Sequence, residues 1–235
     1  MKSPSSTSSS SIMAQKLNNR AASYIESGSP DRAILVLVKA LKFTEKYESE
    51  EFRINHCTLD DCMRYTQKAS LKRRRPSCEN DESSHCGFVY RNPIRVSPQA
   101  IEEEQYMGPA LPLIITFNLA LAHHTRLIQD KKTNDRDAMN KVLRLYECAY
   151  RFQVQEANEM VASIPFTMII ANNLSQIHRA ANNHSKHMKC LQHLLSTVMF
   201  LVDGQQTQDR TDLDMDGFLQ NASSLILQGQ CASAA

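Results

Sequence analysis

Apolar side chains recur at intervals of three and four residues along most of the chain, which is the spacing of one face of an α-helix. The stretch 31–47 shows this pattern well, and its apolar positions are Ala33, Ile34, Leu37, Ala40 and Leu41. The stretch 138–155 repeats the pattern, and so does the C-terminal stretch that begins at Met215. The alternation of apolar and polar residues that marks half-buried strands is scarce. The pattern therefore predicts an all-α fold.

Turn residues divide these periodic stretches into helical hairpins. The first helix stops at Gly28, which suits a helix C-terminus, and Pro30 suits the first turn of the next helix with Ser29 as its cap. Two further hairpins are predicted, one from 109–129 with 138–155 and one from 165–181 with 185–202. A last amphipathic helix closes the array.

The domain organisation follows from where apolar periodicity is missing. Residues 1–11 are rich in serine, so we predict a disordered tail there, and residues 229–235 form a second short tail. Residues 12–228 are predicted to form one helical domain. Within it, residues 48–87 lack apolar periodicity and carry four of the seven cysteines, which predicts a disordered insertion. Residues 88–96 read as extended chain, because Pro93 disfavours helix at Asn92.

Three predicted first helices share one short frame, which is an asparagine, a small residue two positions later and a ring three positions after that. The frames begin at Asn19, Asn118 and Asn173. The small residue allows two helix backbones to approach, and the ring fills the space beside it. After the first frame, the series continues with Gly28, Ala33, Leu37 and Ala40.

This series resembles the tetratricopeptide repeat, whose consensus places small, ring, glycine, alanine, bulky and alanine residues at those spacings. The third copy keeps the spacing, with Asn182 in place of glycine and His187 in place of the usual small residue. The layout is also similar to a group of tetratricopeptide-like proteins common in diatoms. In that group a tyrosine-arginine-proline-isoleucine stretch precedes the middle hairpin, as Tyr90, Arg91, Pro93 and Ile94 do here. The second resemblance implies no activity.

The tetratricopeptide resemblance implies a short solenoid of stacked antiparallel hairpins with a C-terminal capping helix. It also implies a concave groove lined by the first helices, into which the frame asparagines point. An asparagine amide both donates and accepts, so it can hold an extended peptide backbone whatever its sequence. Two other roles stay open for these asparagines, because they can brace the turns or the closing helix can fill the groove. The candidate partner-binding residues are Asn19, Ala22, Asn118, Leu121, Asn172, Asn173 and Gln176.

Charge and cysteine content limit which classes of partner and which cellular compartment are expected. Lys and Arg number 27 against 25 Asp and Glu, and this near balance argues against a dedicated nucleic-acid binder. The longest apolar stretch is shorter than the ~20 residues that span a bilayer, so no membrane partner is expected. Without a secretory signal, the odd number of cysteines predicts free thiols in an intracellular, cytoplasmic protein. The basic run Lys72–Arg75 allows a nuclear location.

Two alternative functions rest on other clusters. Side chains of the types that bind metals occur on the predicted helix 185–202 and around residues 56–86, so a metal-binding protein is one alternative. Against it, residues spaced three apart progressively change direction around a helix, and the cysteine spacing fits no compact zinc knuckle. The acidic pattern at residues 212–216 lacks the glutamate that a calcium loop needs at its twelfth position, which is Ser223. The basic stretch Lys68–Arg75 suggests a second alternative, an adaptor that binds nucleic acid. The possible metal ligands are His184, His187, Cys190 and His193, with His56, Cys57, Cys62, Cys78, His85 and Cys86.

Catalytic motifs are missing from the sequence, so no enzymatic activity and no cofactor are expected. The six glycines are scattered and form no phosphate-binding loop, and no metalloprotease or hydrolase signature occurs. The sequence therefore predicts a non-catalytic scaffold that binds a protein or peptide of unknown identity in its groove.

Overall fold

A computed structural model describes residues 6–44, 56–71, 87–130, 135–155, 162–203 and 215–232. Within these ranges the regular secondary structure is helical, and the only β-type pairing is an isolated bridge between His56 and Tyr106. The prediction of an all-α protein is therefore confirmed. The helices are α1 (Ser6–Glu26), α2 (Pro30–Lys42), α3 (Leu59–Leu71), α4 (Pro98–Glu102), α5 (Ala110–Gln129), α6 (Arg136–Gln155), α7 (Ile164–Ala180), α8 (His184–Asp203) and α9 (Met215–Ala232).

The chain divides into two compact units, where the sequence predicted one domain over residues 12–228. The first unit takes residues 1–66 and 91–163, and the second takes residues 67–90 and 164–235. Each unit is thus built from two separate stretches of chain.

The first unit contains two helical hairpins, α1 with α2 and α5 with α6, and α5 packs against both α1 and α2. Large side chains fill the space between these helices, including Leu37, Ile114, Phe117 and Tyr146, all fully buried. The rings of Phe117 and Tyr146 lie 6.0 Å apart. Leu37 belongs to the apolar face of α2 that the sequence pattern identified.

Helix α3 lies inside the stretch 48–87, so the prediction of a disordered insertion is wrong for residues 56–71. Cys57, Leu59, Cys62 and Met63 are buried there, with exposures of 3 % or less. Thr58 caps the helix, since its hydroxyl accepts from the Asp61 N–H at 3.2 Å and its own N–H donates to the Asp61 carboxylate at 3.0 Å. A few apolar side chains at helical spacing are enough here because the cap fixes the first turn. Residues 48–55 and 72–86 lie outside the described part of the chain.

The second unit contains the hairpin of α7 with α8, and α9 packs against α8. Its buried side chains include Phe166, Ile169, Leu194 and Phe218. The α7–α8 turn has a left-handed residue at Asn182, with φ +55°. Gly28 has φ +72° in the α1–α2 turn, and the same two backbone hydrogen bonds close both turns. Asn182 therefore takes the position that glycine takes in the first hairpin, as predicted.

Both ends of the described chain are more helical than the sequence indicated. Helix α1 starts at Ser6, inside the tail predicted for residues 1–11, and α9 continues to Ala232, inside the tail predicted for 229–235. Both helices extend outward from amphipathic stretches, and adding a residue to an existing helix requires no new nucleation. None of the helices in the described ranges combines the length and apolar character needed to cross a membrane.

Candidate functional site

Two asparagines of the first unit each hold one residue of an extended stretch of the same chain. The Asn118 side chain accepts from the Ile94 N–H at 2.8 Å and donates to the Ile94 carbonyl at 2.7 Å. Asn19 does the same for Val96, at 2.9 Å and 2.7 Å. In extended backbone, alternate residues direct their N–H and C=O groups to the same side. The two amides therefore contact this stretch as a neighbouring strand would.

A third asparagine completes this cluster. Asn18 donates to the Ile94 carbonyl at 3.0 Å and accepts from the Asn118 side chain at 2.8 Å. Asn18 and Asn118 are both fully buried. A buried amide without partners is costly, and here each one is bonded to backbone and to its neighbour, so the cluster stabilises one arrangement of the chain.

Arg95 is held through its side chain as well as its backbone. Its guanidinium makes two bonds to the Glu26 carboxylate, at 3.1 and 2.8 Å. It also donates to the Asn19 carbonyl at 3.1 Å and to the Ser23 hydroxyl at 3.0 Å, and the Arg95 N–H donates to the Thr66 hydroxyl at 2.9 Å. Bidentate hydrogen bonding of arginine to a carboxylate is strong and directional. The Arg95 side chain is only 10 % exposed, which limits screening by water.

The second unit repeats the arrangement on residues 88 and 90. Asn173 accepts from the Tyr90 N–H at 2.9 Å and donates to its carbonyl at 3.0 Å. Asn221 holds Phe88 in the same way, at 3.0 and 2.7 Å. Asn172 donates to the Phe88 carbonyl at 3.1 Å and accepts from Asn221 at 2.6 Å. The same chemistry thus recurs in a separate unit of the chain.

Aromatic packing accompanies these bonds in the second unit. The Phe218 ring lies edge-on to Phe88, with centroids 5.1 Å apart, and stacks on Tyr90 at 6.1 Å. Gly217 allows the close approach, because a Cβ atom at that position would lie 2.4 Å from the Phe88 ring. Helix α9 therefore contacts the extended chain through both an amide and a ring.

The predicted groove residues fall into two sets. Asn19 and Asn118 bond the chain's own backbone in the first unit, where Ala22 and Leu121 are fully buried. In the second unit Asn172 and Asn173 bond the backbone, and the Gln176 side chain lies beside Gly87. The asparagines bond extended backbone that belongs to this chain, and the prediction that they line a groove for a partner stays a prediction.

The sequence reasoning missed several members of these clusters. Asn221 carried a signal, since Ser223 stands two positions later and so repeats the start of the frame. Glu26, Thr66 and Arg95 carried none, because their contacts join residues tens of positions apart.

The clusters behind the alternative functions form no compact site in the described ranges. The His184 and His187 rings lie 6.5 Å apart, and the His187 Nδ1 atom lies 2.9 Å from the Ser175 carbonyl of α7. Burial lowers the pKa of His187. Across the ranges that the structure describes, no three His, Cys, Asp or Glu side chains are placed to hold one ion. Lys72–Arg75, Cys78, His85, Cys86, Asp212 and Asp214 lie outside those ranges.

The buried thiols of Cys57 and Cys62 form a contact at the start of α3. Their sulfurs lie 3.6 Å apart, and this hydrogen bond lowers the pKa of Cys57 and raises that of Cys62. The two residues flank the Thr58 cap at the positions where apolar side chains commonly pack across a helix start. The pair therefore acts as a small apolar contact that fixes how the chain enters α3.

Comparison with known proteins adds no assignment: no family model, no curated protein and no solved structure matches this chain. Any functional inference therefore has to rest on the asparagine clusters and on the segment that they hold.

Proposed function

We propose that this protein is a non-catalytic protein-interaction scaffold of the tetratricopeptide kind, which holds an extended peptide segment through asparagines on its helices. The observation that supports the proposal is the repeated two-bond contact. Four asparagines, Asn19, Asn118, Asn173 and Asn221, each bond the N–H and the C=O of a single residue in extended chain.

This contact suits binding because it does not depend on the side chains of the bound segment. The amide reads only backbone groups, and every residue except proline offers both of them. The asparagines lie on α1, α5, α7 and α9, and a helix fixes a side chain more rigidly than a loop does. Such sites can receive segments of different sequence.

The repeat arrangement is a second support. The described helices include three hairpins, α1 with α2, α5 with α6 and α7 with α8, and the turns at Gly28 and Asn182 share the same backbone hydrogen bonds and a left-handed φ, which supports a repeated unit. Each frame asparagine lies on the first helix of its hairpin, and in tetratricopeptide proteins these first helices line the groove. Residues 88–96 occupy the asparagines here, so a partner segment competes with them.

The test is capture of partners by the full-length tagged chain, with the captured proteins identified by mass spectrometry. Asn19→Asp and Asn173→Asp keep the size of the side chain but set a carboxylate oxygen against a backbone carbonyl, where an amide donated before. We expect these variants to lose a partner's binding by about tenfold, or about 1.4 kcal/mol.

Asn140→Asp is the matched control, because Asn140 is exposed on α6 and makes no such contact in the structure. Thermal melting establishes that all three variants remain folded before capture is compared. Equal capture by the folded Asn19, Asn173 and Asn140 variants would refute the proposed binding site.

A further inference from the structure

The first unit surrounds one side chain of the extended stretch with matched polar groups. The Arg95 guanidinium meets both Glu26 oxygens, the Asn19 carbonyl and the Ser23 hydroxyl, all between 2.8 and 3.1 Å. These are four acceptors arranged around one planar donor group. Lysine offers a single ammonium and cannot fill such a fork.

The residues on either side of Arg95 meet a different environment. Ile94 and Val96 are fully buried, and the amides of Asn118 and Asn19 hold their backbones. A polar or charged side chain at either flank would lose its hydration without gaining a partner. The site therefore bonds the backbone of the segment, buries an apolar side chain on either side, and selects arginine at the central position.

We infer that this cluster is an arginine-selective peptide subsite, whose partner is an extended segment with arginine between two branched aliphatic residues. This inference rests on the proposed function, and it names the partner class of the same site. Residues 94–96 are the bound segment in this structure, and they act as an internal competitor of any such partner.

Because the internal segment is part of the same chain, it is favoured over a free peptide in this competition. A segment in the same chain binds intramolecularly, at an effective concentration that a free peptide has to exceed, so a free peptide of equal intrinsic affinity binds weakly while the internal segment is intact. Weakening the internal segment should therefore expose the subsite. Removing the Arg95 side chain does this while leaving Glu26, Ser23 and the Asn19 carbonyl in place.

The experiment uses a labelled synthetic peptide with the sequence of residues 91–97, blocked at both ends, and a second peptide with citrulline at the position of Arg95. Citrulline keeps the shape of arginine but carries no charge. Binding to the full-length Arg95→Ala protein is measured by fluorescence anisotropy. We expect the arginine peptide to bind this variant about tenfold more tightly than the citrulline peptide, and about tenfold more tightly than it binds the wild type.

The double variant Arg95→Ala/Glu26→Gln provides the matched control for charge. It should bind the two peptides with nearly equal affinity, because the carboxylate that distinguishes them is gone. If Arg95→Ala binds both peptides equally, arginine selectivity is wrong while backbone binding, and with it the proposed function, stands.

A measurement on the wild type does not depend on the folding of any variant. Hydrogen exchange at the Ile94 and Val96 amides reports whether the internal segment leaves its asparagines. A saturating excess of the arginine peptide should accelerate exchange at both amides, and the citrulline peptide should do so less. Unchanged exchange at both amides would overturn the inference, because the segment would then be a fixed part of the fold.

Discussion

Asn118 is a single side chain that connects two parts of the first unit. Its amide bonds the Ile94 N–H, the Ile94 carbonyl and the Asn18 side chain, with no exposure to water. Each of these partners is itself buried, so none can turn to solvent if the amide is removed. At this scale, stability depends less on forming the bonds than on leaving none of the groups unpaired.

We therefore expect Asn118→Ala to lower the free energy of unfolding by about 2–4 kcal/mol, since it leaves buried donor and acceptor groups unpaired. Chemical denaturation monitored by circular dichroism measures the change. Asn140→Ala, on the exposed face of α6, should shift the free energy by only about 0.5 kcal/mol. Equal shifts for the two variants would show that the Asn118 contacts add nothing to stability.

His124 is buried on α5, where its Nδ1 atom lies 3.4 Å from the Tyr146 hydroxyl. Burial, with a smaller contribution from the positive charge of Arg91, lowers the pKa of His124 from 6.5 to about 4. The unfolded chain therefore binds a proton on this ring between pH 6.5 and 4 while the folded chain does not. Stability rises with pH over that window and is lost as the pH falls through it.

The loss expected from the His124 ring alone is roughly 3 kcal/mol between pH 6.5 and 4, from a pKa shift of that size, and His123, whose pKa is also lowered to about 4, adds to it. Denaturant titrations at half-unit steps of pH measure it. His124→Gln removes the titrating ring, so its stability should fall less over the same window. Parallel pH profiles for the wild type and His124→Gln would contradict the assignment of the loss to this ring.

Among the elements, α3 is the one whose structural role the sequence did not show. Leu59 is fully buried at its start, whereas Leu35 on α2 is 74 % exposed. Leu59→Ala should lower the free energy of unfolding by about 2–5 kcal/mol, and Leu35→Ala by about 0.5 kcal/mol. Thermal and chemical unfolding of both variants test this. A negligible effect at Leu59 would show that the burial of α3 contributes little to the free energy of unfolding.

Helix α9 is the element in which a glycine has a packing role. Alanine usually stabilises a helix interior relative to glycine by about 1 kcal/mol. At Gly217 the added Cβ would lie 2.4 Å from Phe88, and such overpacking costs about 1–3 kcal/mol. We expect Gly217→Ala to lower the melting temperature, with Gln220→Ala on the exposed face of α9 as the control. A higher melting temperature for Gly217→Ala would show that Phe88 moves aside at little cost.

The sequence predicted the hairpin helices because their signals are local. Gly28 and Pro30 mark a turn directly, and the apolar positions of α2 repeat over three turns of helix. Helix α3 is as long as α2 but lies in a polar stretch, so its few apolar positions did not stand out. The frame also located the asparagines. It could not identify what they bind, because the contact from Asn19 to Val96 spans 77 positions.

For the whole molecule, the main structural feature is the division of the chain into two compact units. Each unit has its own buried core, with Phe117 and Tyr146 in the first and Phe166 and Phe218 in the second. Each also holds part of the stretch 87–96 through asparagines. Neither boundary, at residue 90 or at residue 163, coincides with the end of a predicted helix, so the periodic pattern alone could not predict where one core ends and the next begins.

The bonds between α1 and the extended stretch also bear on the order of folding. Asn18 and Asn19 contact residues that lie 76 and 77 positions away, whereas α1 and α2 are joined by a turn of three residues. Closing a long loop has a high entropic cost before its contacts form, so the hairpin should form early and the extended stretch should join late. The late contacts then govern how fast the native state opens, rather than how fast it is reached.

Asn19→Ala should therefore accelerate unfolding by about tenfold for a loss of about 1.4 kcal/mol, while the refolding rate changes little. Leu37→Ala, inside the early hairpin, should slow refolding instead. Stopped-flow measurements across a range of denaturant concentrations separate the two rates, and slower refolding of Asn19→Ala would contradict late docking. If docking is late, the lifetime of the folded first unit is set by a few hydrogen bonds between asparagine side chains and a stretch of chain distant in sequence. Substituting one of these asparagines then changes how long the native state persists without changing how quickly it forms.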